Sequence, residues 1–273
     1  VSDENPKPNP DPFAEARASL WGTPGDAAAG EGGESGEEAP AVALQGSQSL
    51  GWDLLFDFHA MVEQLRATDG IVDVQATIHP PVPLFTINTI EHGLGIRVPA
   101  RIRSFYMVCD GLEFSWSYEQ DSRVIPGGGA HLFDFATVFD SWLDSLWLSE
   151  ETMSAEQVDF MWTLRGFDRT FHAPSLGSSA PAEGLAEREM VVMCVEEEYP
   201  TYDLFVHDPQ TRTSRLLDVS FREYFDCLLA ARGTYGWQKL LLEDPEGEED
   251  KLSDFYRLTD RFFPPSDLSR WRR

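Results

Sequence analysis

Apolar side chains recur along this chain with two periods, and the switches between them mark its elements. From Gly51 to Thr68 the period is helical, with Leu54, Leu55, Phe58, Met61, Val62 and Leu65 in one stripe. Asp69-Gly70 ends it, and Ile71 to Ile78 alternates in part, as a strand does. His79-Pro80-Pro81 is an extended link. Thr86 then stands where it can cap a short helix whose apolar side is Ile87, Ile90 and Leu94, with Gly93 and Gly95 loosening its end. Pro99 opens a second helix, where its missing N–H costs nothing. Ile102, Phe105, Tyr106 and Cys109 share one side of that helix, and Gly111 fits its stop. Leu112, Phe114, Trp116 and Tyr118 share one face of the strand that follows.

Beyond this point the rhythm is weaker. Glu119 to Ser122 reads as a polar turn and Val124-Ile125 as a short strand. Gly127-Gly128-Gly129 reads as a flexible turn, because no Lys-Ser/Thr follows to make it a phosphate loop. Phe133 to Leu148 predicts a helix from Phe135, Val138, Phe139, Trp142, Leu143 and Leu146. Ser154 to Leu164 predicts another, and Arg165 to Glu187, broken by Pro174, Gly177, Pro181 and Gly184, is mostly loop. Met190 to Val195, Tyr202 to His207 and Thr213 to Asp218 form a meander of three strands. Ser220 and Glu223 spell a capping box for a helix from Phe221 to Ala231, stopped by Gly233. Glu243 to Asp250 is an acidic linker before an amphipathic helix, Leu252 to Phe263, read as an appendage with Leu252, Phe255, Leu258 and Phe262 on its apolar face. The predicted fold is α+β: one domain over 50–242, a mainly antiparallel sheet flanked by helices, preceded by a disordered acidic tail over 1–49 and followed by the linker and helix of 243–273.

Charge changes this picture more than any other global property. The net charge is −26, and the first 49 residues hold nine carboxylates and two bases, so the remainder still carries −19. Phosphate-backbone binding needs a basic surface, which argues against a direct nucleic-acid partner. An acidic surface suits a basic protein partner by raising on-rate and selectivity, although it also serves solubility alone. No apolar run is long enough to span a membrane, and the polar, acidic start is unlike a secretory signal. Cys109, Cys194 and Cys227 are widely spaced in apolar runs, which predicts buried thiols in a reducing, cytoplasmic setting.

Candidate chemistry is sparse. The six histidines, His59, His79, His92, His131, His172 and His207, have no metal-ligand spacing, and no GxSxG elbow is present. Glu196, Glu197 and Glu198 are hard-cation ligand types, but three consecutive residues cannot all face one ion. No enzyme, cofactor or metal is expected, and these acids read instead as a solvated loop or a contact patch for a basic partner.

One stretch carries a resemblance. Pro83 to Tyr118 has a short helix with Glu and Leu-Gly, a Val-Pro step, an aromatic-bearing helix, an Asp-Gly turn and an aromatic strand, through Ile90, Glu91, Leu94, Gly95, Val98, Pro99, Phe105, Tyr106, Asp110, Gly111 and Trp116. It resembles the SUKH superfamily of fungal cell-wall-synthesis regulators and bacterial immunity proteins, and the later meander followed by a helix is similar to that family too. The region from Phe133 to Glu187 departs from its compact pattern. The resemblance implies an immunity-type protein that binds and neutralises a basic toxin domain, often a nuclease, by occlusion; the alternative is a regulatory scaffold in cell-wall or signalling control. Charge, aromatics and likeness together nominate Glu119, Asp121, Glu196, Glu197 and Glu198 for steering, and Trp116, Tyr118, Tyr199 and Tyr202 as anchors. Trp116 and Tyr118 read equally as core.

Overall fold

Each strand of the sheet pairs with the one before it, always antiparallel, so the spatial order is the chain order. The computed structural model describes residues 42–140, 154–169, 189–195, 202–208, 211, 213–217, 219–242, 247, 249–263 and 268, all within the compact unit Val42–Arg273. The strands are β1 (Ile71–Ile78), β2 (Leu112–Gln120), β3 (Arg123–Leu132), β4 (Leu164–Arg169), β5 (Met190–Cys194), β6 (Leu204–Asp208) and β7 (Thr213–Leu217). The helices among the described residues are α1 (Val42–Ala67), α2 (Leu84–Leu94), α3 (Ala100–Tyr106), α4 (Phe135–Phe139), α5 (Ala155–Thr163), α6 (Phe221–Ala231) and α7 (Glu249–Phe262), with a 3-10 turn at Trp237–Leu241. The chain is therefore α+β, as its patterning predicts. None of the described helices is long and apolar enough to cross a membrane.

The core lies on one face of the sheet. Leu112, Phe114, Trp116 and Tyr118 of β2 join Val191 and Met193 of β5 and Leu204 and Val206 of β6 there. The α1 stripe (Leu54, Phe58, Met61, Val62, Leu65), Phe105 and Tyr106 of α3, Tyr224, Phe225 and Leu228 of α6, and Phe255 and Leu258 of α7 close over them. The other face carries a smaller cluster, Met161, Leu164, Val192 and Cys194, beneath α5. Alternate residues of β5 thus bury on opposite faces, which is why that strand reads as a continuous apolar run.

Several expectations are corrected. Helix α1 starts at Val42, inside the stretch expected to be disordered; residues 1–41 lie outside the described ones. Helix α2 starts on Pro83, not Thr86, whose N–H bonds the Pro83 carbonyl at 2.9 Å with no side-chain cap. Helix α3 begins directly after Pro99 but ends at Tyr106, well before Gly111. Gly111 instead turns the chain into β2 at φ +82°, where a Cβ would stand 2.6 Å from the Leu132 carbonyl oxygen. Gly127 to Gly129 form no flexible turn: they run inside β3, where the Trp116 ring and the Gly233 carbonyl occupy the space that side chains at 127 and 128 would need, and the Phe114 carbonyl occupies it at 129. Leu164–Arg169 is a strand where the end of a helix and the start of a loop were expected. Of the helix predicted over 133–148, Phe135–Phe139 is helical and 141–148 lie outside the described residues. Helix α7 is no appendage, since Phe255, Leu258 and Phe263 are buried in the main core.

Candidate interaction surface

The residues that carry the family likeness have structural work in this chain. Glu91 is 9 % exposed; its carboxylate accepts the Val98 N–H at 2.7 Å and pairs with Arg103, tying α2 to the loop and to α3. Gly95 ends α2 in the left-handed conformation. Asp110 accepts the Phe135 N–H at 2.7 Å, and the Tyr106 hydroxyl donates to the Phe133 carbonyl at 3.1 Å. The Trp116 indole N–H donates to the Arg232 carbonyl at 2.8 Å. Ile90, Val98, Phe105 and Tyr106 are buried. The motif therefore builds the fold.

Two nominated anchors are corrected by this packing. Trp116 and Tyr118 are 1 % and 2 % exposed, on the inward face of β2. Helix α7 covers them: Phe263 meets the Trp116 ring at 5.8 Å, Phe262 meets Tyr118 at 5.5 Å, and the Arg261 guanidinium lies 5.4 Å from the Tyr118 ring centre. They are core residues. Glu119 and Asp121 are exposed at the β2–β3 turn, where Asp121 and Ser122 both take positive φ. Glu196, Glu197, Glu198 and Tyr199 lie outside the described residues.

Tyr202 is half-buried and donates its hydroxyl to the Arg97 carbonyl at 3.0 Å. Burial, helped by the nearby Glu91, pushes its phenol up to about 12. It stands between two clefts that share Tyr202, Pro99 and Ala100. One, of about 760 Å³, is lined also by Asn88, His92, Ile96 and Arg97. The other, of about 610 Å³, is lined also by Arg101, Ile102, Leu216, Val219 and Glu223.

The sheet register separates Tyr202 from the β2–β3 acids. Gln120 pairs with Arg123 where β2 finishes, and Leu112 pairs with Leu132 where it begins. From Leu132 the ladder passes to Asp168, then through Leu164 and Cys194, and Met193 pairs with Leu204. Tyr202 thus lies beyond the end of the sheet where β2 begins, and Glu119 and Asp121 lie at the other end. The structure does not bring them into one site.

Some of the remaining titratable groups are buried, while His59, His79 and His92 are exposed. Cys109, Cys194 and Cys227 form no disulfide and are buried, and burial with the neighbouring Asp110 pushes the Cys109 thiol up to about 12, far from a reactive thiolate. Among the described residues no group of three His, Cys, Asp or Glu side chains is placed to hold a metal ion. Asp168 is fully buried; it accepts the Tyr224 hydroxyl at 2.5 Å and the His131 N–H at 3.0 Å. Burial outweighs these hydrogen bonds and raises its carboxyl to about 6.

Sequence reasoning passed over the exposed aromatics of α1. Trp52 and Phe56 are 58 % and 74 % exposed. The signal was present: an aromatic pair at i, i+4 that falls off the apolar stripe. No protein-family model matches this chain and no curated protein matches it, so the SUKH likeness rests on the chain's own residues.

Proposed function

We propose that this chain is an immunity-type interaction protein, which binds a basic toxin domain and neutralises it by occlusion. The observation that carries this reading is the placement of charge. Carboxylates such as Asp53, Asp57, Glu113, Glu119, Asp121 and Asp159 stand in solvent. Some bases are tied down, Lys239 onto Glu189 at 2.6 Å, Arg103 onto Glu91 and Arg232 over the Phe263 ring at 4.6 Å, while Arg97, Arg101 and Arg123 are exposed. With a net charge of −26, such a surface steers a basic partner into encounter and repels acidic ones. Occlusion then needs no catalytic group on this side. Glu119 and Asp121 act at one end of the sheet, and Tyr202 with its clefts acts as a contact at the other.

The test is capture on the tagged full chain at low salt, followed by association kinetics with the captured domain. One stoichiometric basic partner, whose on-rate falls with salt and with Glu119→Gln/Asp121→Asn, supports the reading. An on-rate indifferent to both overturns the steering. Several substoichiometric partners, lost on deletion of residues 1–41, would instead identify a regulatory scaffold. That deletion stops before α1, so the folded unit stays intact.

A further inference from the structure

We propose that the Trp52–Phe56 pair on α1 is a docking surface for an arginine-bearing face of the basic partner, an inference that rests on the interaction reading above. The helix beneath the pair is fixed. Leu54, Phe58, Met61, Val62 and Leu65 bury against the sheet, and Gly51 packs so closely on Ser104 and Val108 of the α3 end that a Cβ would collide with both. On the opposite flank Gln64 accepts from Arg232 after α6 at 3.2 Å. An aromatic pair one turn apart on such a helix is held ready, so binding orders no backbone.

Neither ring belongs to the core clusters of the described residues. At 58 % and 74 % exposure Trp52 and Phe56 add little to the core, and alanine would serve the helix better. A turn apart, they make one apolar platform on the outward side that leans toward α3. The N–H of Val82 bonds the Tyr106 carbonyl at 2.9 Å, so the start of α2 flanks the same end of α3 from its other side. It carries Leu84 and Phe85, 37 % and 80 % exposed. Asp53 and Asp57 stand exposed on the remaining flank of the platform, Asp57 with the Arg222 guanidinium 4.0 Å away.

This combination selects the occupant. Acids beside bare aromatic faces on a chain of net charge −26 match a cation that can both stack and pair. Arginine does so better than lysine, since its planar guanidinium lies on a ring and leaves its edge free for a carboxylate. The molecule uses the same chemistry internally, where Arg261 lies 4.6 Å from the Phe262 ring centre and Arg232 4.6 Å from that of Phe263. Aromatic anchors of this type set off-rates, while the surrounding acids set on-rates.

The experiment uses the full chain and a labelled amphipathic helical peptide with one leucine face and one arginine face, read by fluorescence anisotropy. A lysine twin of equal charge is the control. The arginine peptide should bind several-fold more tightly than the twin, and Trp52→Ala/Phe56→Ala should weaken it at least tenfold with an unchanged thermal midpoint. Asp53→Asn/Asp57→Asn should weaken both peptides and leave their ratio intact. Equal affinity for the wild type and the Trp52→Ala/Phe56→Ala variant overturns the docking surface. If Glu119→Gln/Asp121→Asn then weakens the peptide, the interaction reading survives without it. If neither cationic peptide binds, both fall.

Discussion

At Trp116 the sheet meets the turn after α6 through an aromatic ring laid over glycines, whereas at Asp168 it meets α6 itself through a buried carboxylate. The first junction is shape. The ring fills the space above Gly127 and Gly128, and its one polar atom is satisfied by the Arg232 carbonyl. The second is polarity. One carboxylate gathers a hydroxyl from α6 and an N–H from β3, with a charge that the interior disfavours. A junction made of shape tolerates no change of volume but is indifferent to pH. A junction made of a buried charge accepts an isosteric replacement and responds to acid.

Mutations can break that contrast, starting with the largest effect. Trp116→Ala should cost about 3–5 kcal/mol by urea unfolding, because it empties a fully buried site, and Gly128→Val should fail to fold because the indole and the Gly233 carbonyl cannot both retreat. Either variant near wild-type stability would end the account of β3 given above. Tyr224→Phe should cost about 1–3 kcal/mol, since the Asp168 carboxylate loses a buried donor.

Asp168→Asn should cost less than Tyr224→Phe and should sharpen the contrast through pH. The folded chain holds the Asp168 proton up to about 6, against about 4 in the unfolded chain. The native state thus binds more protons across that window, and the contribution of this group to stability falls as pH rises through it. The variant lacks this slope. Its midpoint relative to wild type should therefore improve between pH 4 and pH 7, whereas Trp116→Phe should show a constant difference. Smallest of all, Glu119→Gln/Asp121→Asn should stay within about 0.5 kcal/mol of wild type, because both sites are exposed and asparagine accepts the positive φ at 121.

What was legible in the sequence was local. The alternation of Leu112 to Tyr118 and the Ser220–Glu223 box depend on neighbours within a few positions, and both are present. The readings that failed depend on partners far along the chain. Gly127 and Gly128 look like part of a turn until the Trp116 ring is seen to need their missing side chains. Leu164–Arg169 carries Arg165, Gly166 and Asp168, which argue for a loop; pairing with both β3 and β5 makes it a strand. Tyr118 looks like a possible contact until α7 is laid across it. Trp52 and Phe56 were hidden by attention to the buried stripe, because a search for the core discards the residues that point away from it.

Translation gives the Trp116 junction a second meaning. Strands that pair in chain order can be laid down as they leave the ribosome, each on the last. The seat of Trp116 cannot, because its hydrogen-bond partner lies 116 residues downstream, and the rings of Phe262 and Phe263 that cover it come later still. Until α7 has been made, nascent β2 carries Trp116 and Tyr118 without the Phe262 and Phe263 rings that cover them, whereas Phe114 already has Phe58 of α1 against it. Over that interval the growing chain exposes apolar surface of the kind that favours aggregation, and a chain that ends before Arg232 never gains the acceptor for the Trp116 indole.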